Sequence, residues 1–432
     1  MDDYVGGQPY GSGLQSRDAV KVSWLKPIGL LWLSIYNFIM RILTLGIHHF
    51  WGKTEVRKRI WSSVRLNGEP LEYTGTGREL FTGFLIVFAA VLLPTMLLTL
   101  AAVMLLGVDS VWLKVFQGAL YAFFLFLTGA AIYRAQRYRL NRTRWRGIRA
   151  GLSGSSLRYA WTYFWTLLLL PVTFGWIAPW RSTLLQRIIT QDMRFGDKHF
   201  RFSGGSGPLY KSFAVFWLLN VVVIGGVLAI IGKAIVGSMN AFQADEGDLR
   251  QQLPPDAIPG LLAAIYGGLF VAGLIYMVLS VWYRAAMIRH FARYTHIDGL
   301  DFKSNVTARG LLGIAITNYL LLFVGALLAS VVLGGIGMVV LGGLSGFGID
   351  PLGLAQNVEP QALAGRIGIL VTFVFLFALG MLLPLTQART SGYLVRNLAL
   401  SGTIDLATVA AGAPEDIRRG EGLAQAFDID AL

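Results

Sequence analysis

Cysteine is absent from this sequence, and charged residues are scarce. The lack of cysteine excludes disulfides, thiolate nucleophiles and cysteine metal sites. Only 14% of the 432 residues are charged, whereas 55% are hydrophobic and the mean hydropathy is +0.58. Soluble domains carry more charge relative to their apolar content. The composition therefore predicts an integral membrane protein.

Carboxylates are also missing from the middle of the long apolar runs, each of which could cross about 30 Å of hydrocarbon as a helix. Proton relays and intramembrane catalysts need ionisable groups at that depth, so we expect no catalytic residue and no cofactor there. Glu69, Glu72, Asp298 and Asp301 could serve an enzyme outside the bilayer, but they lie at hairpin turns and strand edges, where such residues are usually structural. The six runs are Phe81 to Leu106, Val111 to Tyr133, Leu209 to Ile235, Leu261 to Tyr283, Leu311 to Leu341 and Ile367 to Leu385.

Basic residues outnumber acidic ones by 37 to 24. They occupy loops beside the apolar runs rather than one polar domain, which indicates control of membrane topology and not a nucleic-acid partner. Four basic connections and the C-terminus are expected in the cytoplasm, and the acidic connection from Ser238 to Pro259 is expected outside.

Two shorter apolar segments do not fit this alternation. The segment from Tyr159 to Pro179 has basic connections at both ends, so a single crossing would place one of them outside. It is rich in tryptophan and is broken by Pro171. The segment from Pro27 to Ile47 is its counterpart. We expect both to be re-entrant or interfacial.

An internal repeat connects these two segments. "TLGIHHFWGK" and "TFGWIAPWRS" align without a gap at an offset of 129 positions, and "TRWRG" aligns with "THIDG" at an offset of 152. A third, weaker copy has Gly380 and Pro384 where the second has Gly175 and Pro179. The predicted division is a polar tail at 1–23, repeats at 24–153, 154–305 and 306–408, and a C-terminal tail at 409–432. The paired residues of the first two copies include Gly46 with Gly175 and Trp51 with Trp180.

Five basic segments carry the pattern of a β-hairpin, with short alternating runs on either side of a glycine turn. Strands cannot lie exposed in lipid, so these hairpins belong in water or at the headgroups, where they could join into a small cytoplasmic sheet. The patterns together predict an all-α polytopic membrane protein with about six transmembrane helices, two re-entrant or interfacial segments, internal pseudo-repeats and short cytoplasmic β-hairpins. The five segments are "VRLNGEPLEY", "TRWRGIRAGL", "MRFGDKHFRF", "THIDGLDFKS" and "LALSGTIDLA".

The stretches "TLGIHHFWGKTEVRKRIWSSVRLNGEPLEYTGTGRELFTGFL" and "YRLNRTRWRGIRAGLSGS" resemble the YjgN-like family of bacterial inner-membrane proteins, whose function is unknown. The resemblance covers roughly Ile35 to Leu406 and implies a multi-pass protein of the bacterial inner membrane. It supplies no catalytic or binding residue. The third copy has Leu385 in place of the tryptophan of the other two, so a role for that tryptophan is not expected there.

The basic helix that follows each motif is the candidate contact for an anion. It could hold anionic headgroups or steer an anionic solute, or it could merely anchor the protein by snorkelling. Our leading hypothesis is a channel or carrier for a small or lipid-like anionic solute, and the alternative is a non-transporting scaffold that binds anionic lipids. Membrane lipids are the expected partners, and a homo-oligomer stays open. A metal site at the paired histidines of the first motif is not expected, because neighbouring helical residues point in different directions. The contact candidates are Arg57, Lys58, Arg59, Arg181 and Arg187.

Overall fold

A computed structural model describes residues 20–243, 257–346, 380–403 and 409. Within these ranges the chain alternates between helices and short strands. The helices are α1 (Leu30–Leu43), α2 (His49–Ser63), α3 (Gly77–Val87), α4 (Leu93–Leu106), α5 (Val111–Asn141), α6 (Ser156–Val172), α7 (Ala178–Asp192), α8 (Gly207–Gln243), α9 (Ala257–Arg293), α10 (Ala308–Gly346) and α11, described over 380–396.

Five helical segments are long and apolar enough to cross a membrane, and they match the first five runs predicted from sequence. The first joins α3 to α4 through a π-helical turn at Phe88–Leu92. Few side chains in these segments are buried within the protein, as lipid-facing helices require. The sixth predicted run, Ile367 to Leu385, lies mostly outside the described residues. The five segments are Gly77–Leu106, Val111–Asn141, Gly207–Gly237, Pro259–Arg293 and Ala308–Val331.

The predicted all-α class is too narrow, because the hairpins join into extended β-structure. Eight strands form one antiparallel sheet in the order β11-β10-β9-β8-β7-β6-β5-β4, and three more form a sheet in the order β1-β2-β3. Strand β1 has no counterpart in the sequence analysis. The strands are β1 (Val22–Trp24), β2 (Val64–Leu66), β3 (Glu69–Pro70), β4 (Glu72–Tyr73), β5 (Thr143–Trp145), β6 (Ile148–Leu152), β7 (Met193–Phe195), β8 (Lys198–Phe202), β9 (Thr295–Ile297), β10 (Leu300–Ser304) and β11 (Leu398–Gly402).

Glycine turns set the hairpins, as the sequence predicts. The pairs Asn67-Gly68, Arg146-Gly147 and Asp298-Gly299 all have positive φ, between 39° and 87°. Two consecutive residues of this kind form a type I′ turn, whose twist matches that of the flanking strands.

Every helical excursion leaves the strands and returns to them. The pair α1–α2 lies between β1 and β2, α3 to α5 between β4 and β5, α6–α7 between β6 and β7, and α8–α9 between β8 and β9. In each case the helices join two adjacent, paired strands. Three of these excursions contain two helices, and the one between β4 and β5 contains three. The strands therefore gather at one end of all the described helices.

The two sheets curve round a shared apolar core. β1 contacts β11, although these strands lie in different sheets. One buried cluster centres on Ile297 and Leu300 and includes residues from both sheets. This curvature brings the first and last parts of the chain together. Partly buried side chains packed on the cluster are Leu66, Ile148, Phe195, Phe200, Phe302 and Leu400.

Candidate functional site

The basic residues predicted as anion contacts are not gathered into one site. Arg59 donates to the Ile28 carbonyl oxygen, and Arg187 donates to the Gly204 carbonyl oxygen at 3.0 Å. These two guanidinium groups hold neighbouring segments in place, Arg59 before α1 and Arg187 before α8. The other candidates lie elsewhere on α2 and α7: Arg57 is 3.5 Å from the Tyr73 hydroxyl, Arg181 lies 4.6 Å from the centre of the Tyr163 ring, and Lys58 is exposed.

The repeated glycines end one helix of each short pair and begin the turn to the next. Gly46 has a φ of 92° and donates to the carbonyl oxygen five residues earlier at 2.7 Å. Gly175 has a φ of 78° and makes the equivalent bond, also at 2.7 Å. Leu45 and Phe174 before them also have positive φ, and their N–H groups donate three residues back. This is the Schellman arrangement at a helix C-terminus.

The other repeated motif residues serve packing. Trp51 lies against Gly77, where an added Cβ would be 2.7 Å from the tryptophan. Pro179 is buried, and its carbonyl oxygen accepts a hydrogen bond from Thr183. Of the remaining motif residues, Trp180 is 41% exposed and Pro384 is buried. Gly380 lies beside Phe38 of α1.

A cavity of about 690 Å³ opens between α1, α10 and α11. One part of its wall is basic, and another part is apolar. None of the described residues that line it is acidic. We call it the α1–α10–α11 cavity. Its basic lining residues are Lys26, Arg389 and Arg396, and its leucines are Leu30, Leu31, Leu321 and Leu385.

Packing between distant parts of the chain forms this cavity. Trp24 of β1 lies against Gly392 of α11, where a Cβ would be 2.7 Å from the indole ring. Arg389 donates to the Thr317 hydroxyl of α10 at 2.8 Å. Arg396 donates within its own helix, to the Gly392 carbonyl oxygen at 3.1 Å. The cations are thus positioned, and each keeps further N–H groups for a ligand.

Sequence reasoning missed these three cations. The spacing of residues 26, 389 and 396 carries no motif, and α11 belongs to the weakest copy of the repeat. Arg59 alone of the predicted contacts approaches the cavity, through its bond to Ile28 and its closeness to Gly29.

A charged pair joins the two sheets on the side of the first hairpins. Arg146 donates to both carboxylate oxygens of Glu69, at 2.6 Å and 2.9 Å. These hydrogen bonds lower the pKa of the Glu69 carboxyl below its ordinary value. The pair spans the junction between β3 and the β5–β6 turn, so its role is structural.

A serine, a histidine and an aspartate form a hydrogen-bonded chain on β8 to β10. Ser203 is 3.1 Å from Nε2 of His296, whose Nδ1 is 2.6 Å from Asp301. A hydrolytic triad keeps its aspartate buried, whereas the side chain of Asp301 is 62% exposed. His296 and Asp301 also lie directly opposite each other on paired strands, so their hydrogen bond is a cross-strand polar contact.

No three histidine, aspartate or glutamate side chains among the described residues lie close enough together to hold a metal ion. The first histidine of the first motif, His48, is instead 3.2 Å from the side-chain oxygen of Asn37.

Comparisons with known proteins give a family and one relative. The family described as bacterial protein of unknown function (DUF898) matches residues 29–426. The inner membrane protein YjgN of Salmonella typhimurium strain LT2 is 25% identical over 208 residues, which are 48% of this chain and 43% of that protein. The match thus spans less than half of that relative's length. No solved structure matches this chain.

Proposed function

Because this chain belongs to the DUF898 family of bacterial proteins of unknown function, we propose its function from the α1–α10–α11 cavity. The protein binds an anionic amphiphile, an acidic lipid or a lipid-like solute, at the cytoplasmic side of the inner membrane. The observation that carries the proposal is that three cationic side chains and four leucines line the same cavity. The proposal assigns no catalysis, no cofactor and no nucleic-acid partner.

Two observations support this location. The related YjgN is an inner membrane protein, and five segments of this chain are apolar enough to cross a membrane. The basic connections coincide with the strands, which need water or headgroups around them. The positive-inside rule then puts the strands and the basic wall of the cavity in the cytoplasm.

The depth of the cavity supports a ligand with both a charged head and an apolar chain. Leu321 lies 13 residues beyond the start of α10, which is about 20 Å along a helix. Arg396 is two residues before β11. A headgroup at the cations and an acyl chain along the leucines would satisfy both parts of the wall.

The short helix pairs fit a re-entrant arrangement. α1 has 14 residues and α6 has 17, which gives about 21 Å and 26 Å, short of the 30 Å hydrocarbon layer. Each pair also begins and ends at paired strands. We therefore keep α1–α2 and α6–α7 on the cytoplasmic side as copies of one element. Their matching turns at Gly46 and Gly175 support the repeat.

A carrier for an anionic solute is the second candidate function. It is favoured by the π-helical turn at Phe88–Leu92, which interrupts the first membrane segment just before Pro94. Turns of this kind are frequent at functional sites. Flux assays in liposomes test it, and the absence of movement of every ion, metabolite and lipid tried would eliminate it.

Lipid binding is tested by native mass spectrometry of protein in nanodiscs containing phosphatidylglycerol or phosphatidylcholine. The wild type should retain phosphatidylglycerol. The variant Lys26→Gln, Arg389→Gln, Arg396→Gln should lose it, because three charge-assisted contacts are removed. The matched control neutralises three lysines outside the cavity: Lys21, Lys53 and Lys58.

Equal phosphatidylglycerol retention by the cavity variant and the wild type would refute the proposal. Equal loss in the control would instead indicate binding by overall charge. The alternative contact set, Arg57, Arg59 and Arg187, is not among the residues that line the cavity, and each of its members donates to a protein acceptor. Replacing them should lower the melting temperature whether lipid is present or absent.

A further inference from the structure

A second cavity, of about 600 Å³, lies where α9 ends and where α8 and α10 begin. It is separate from the α1–α10–α11 cavity and shares no lining residue with it. None of the described residues that line it is acidic. We call it the α8–α9–α10 cavity. Its basic lining residues are Arg289, His290, Arg293 and Lys303.

An equivalent junction occurs earlier in the chain, where α5 ends and where α3 and α6 begin. The backbone N–H of Thr74 donates to the Arg142 carbonyl oxygen at 2.8 Å, and that of Ser203 donates to the Tyr294 carbonyl oxygen at 3.0 Å. These residues are related by the two sequence offsets, 129 and 152. Strands β4 and β5 pair in the same register as β8 and β9. The two junctions therefore share a backbone hydrogen bond and a strand register at equivalent positions.

The conserved geometry extends to an arginine at each junction. Arg137 donates to the carbonyl oxygen of Gly154, and Arg289 donates to that of Val306 at 2.6 Å. Both pairs follow the offset of 152. The backbone framework is thus the same at both junctions. The side chains at equivalent positions of the two junctions can therefore be compared directly.

A carboxylate fills the earlier junction. Glu79 accepts a hydrogen bond from the Tyr138 hydroxyl at 2.9 Å and another from Arg142 at 2.8 Å. The residues at the equivalent positions of the later junction are Pro208, His290 and Tyr294. Pro208 cannot supply a carboxylate, and all three residues line the cavity.

A second carboxylate is lost in the same way. The backbone N–H of Ser153 donates to Asp192, and that of Asn305 donates to Asn397, at 2.9 Å and 2.8 Å. The Asp192 side chain accepts from the Tyr133 hydroxyl, whereas the neutral Asn397 side chain donates to a backbone carbonyl oxygen. The later junction therefore lacks both carboxylates. It retains Arg289 as the counterpart of Arg137, and it carries two further cations, Arg293 and Lys303, where the earlier junction has the neutral Asn141 and Gly151.

His290 occupies the position of Tyr138, whose hydroxyl donates to the carboxylate at the earlier junction. It is only 8% exposed. Its ring lies beside the backbone of Gly205, but Nε2 has no partner of normal hydrogen-bond geometry among the described residues. Tyr138, its counterpart, donates to a carboxylate from this position. A buried polar atom without a partner is costly and calls for one.

We propose that the α8–α9–α10 cavity binds a small oxyanion, a carboxylate or phosphate group, in the place that Glu79 occupies at the earlier junction. His290, Arg293 and Lys303 donate to it. The N-termini of α8 and α10 add favourable backbone dipoles. The cavity volume leaves room for the rest of an anionic solute or headgroup.

The test restores the missing carboxylate from the protein itself. In Pro208→Glu, His290→Tyr, a glutamate and a tyrosine take the positions of Glu79 and Tyr138. Purified wild type in detergent should show a saturable rise in melting temperature with inorganic phosphate or citrate at constant ionic strength. The double variant should be more stable without anions and should not respond to them.

A second variant guards against misfolding of the first. The variant Arg293→Gln, Lys303→Gln places no carboxylate in the cavity. It should weaken phosphate or citrate binding about tenfold or more, as measured by calorimetry. Lys114→Gln, at the opposite end of α5, should leave binding unchanged. Nanodiscs with phosphatidylglycerol distinguish a lipid headgroup from a free anion as the source of the oxyanion. If only these nanodiscs stabilise the wild type, and if Pro208→Glu, His290→Tyr abolishes the stabilisation, the oxyanion belongs to a headgroup.

The proposal is overturned if no phosphate, citrate or phosphatidylglycerol stabilises the wild type saturably. It is also overturned if the double variant and the Arg293→Gln, Lys303→Gln variant respond like the wild type. Neither variant alters the α1–α10–α11 cavity, so failure here leaves the proposed lipid function untouched.

Discussion

Replacing Asp192 by alanine should destabilise the protein through one buried hydroxyl. Asp192 ends α7, and its carboxylate accepts from the Tyr133 hydroxyl at 2.8 Å. Tyr133 is 0% exposed, so its hydroxyl cannot turn to water when the acceptor is removed. Leaving such a donor unpaired costs about 1 to 3 kcal/mol.

The ion pair of the same carboxylate adds less. Arg158 approaches Asp192 at 3.1 Å, but the arginine side chain is 62% exposed. Exposed pairs contribute about 0.2 to 1 kcal/mol because water screens them. We therefore expect Asp192→Ala to lower the free energy of unfolding by about 2 to 3 kcal/mol, most of it from the tyrosine.

A double-mutant cycle separates the two contributions. Unfolding is followed in mixed micelles by circular dichroism for the wild type, Asp192→Ala, Tyr133→Phe and the double variant. In the Tyr133→Phe background no hydroxyl is left unpaired, so Asp192→Ala should cost about 1 kcal/mol or less. Asp192→Asn keeps an acceptor and should cost little. An equal cost of Asp192→Ala in both backgrounds would refute the reasoning.

Three further predictions concern turns, packing and pH. Gly77→Ala should cost about 1 to 3 kcal/mol, because its Cβ would be 2.7 Å from a neighbouring helix backbone, whereas Gly118→Ala, in open space, should be neutral or slightly stabilising. Gly46→Ala should cost about 1 to 2 kcal/mol through its φ of 92° alone, and an unchanged melting temperature would contradict this. The Glu69–Arg146 pair lowers the pKa of Glu69 below 4.5; it therefore stabilises the fold above that pH and less as the pH falls through the lowered pKa. Glu69→Gln should flatten the dependence of melting temperature on pH in this acidic range, and an unchanged slope would contradict the assignment.

The elements that were predictable from sequence depend on local patterns. Five membrane segments follow from runs of apolar residues, and the hairpin turns follow from pairs such as Asn67-Gly68, whose backbone needs positive φ. Each of these features needs only residues close together in the chain.

The site was harder to predict, because charge alone does not reveal what a side chain contacts. Arg59 and Arg187 look available in the sequence, yet both donate to carbonyl oxygens of the protein. The wide separation of Lys26 from Arg389 hides the cavity they share. Strand β1 is only three residues long, too short for its alternation to be recognised.

The sequence by itself determined a membrane protein with basic hairpins, because hydrophobic runs, turn residues and local charge act over short stretches of chain. Only the tertiary structure decided the order of the strands and the curvature that brings β1 to β11. It also decided which cations keep a carboxylate, such as Arg142 with Glu79, and which line an open cavity, such as Arg293. Those outcomes depend on contacts between residues far apart in the chain, which local patterns do not encode.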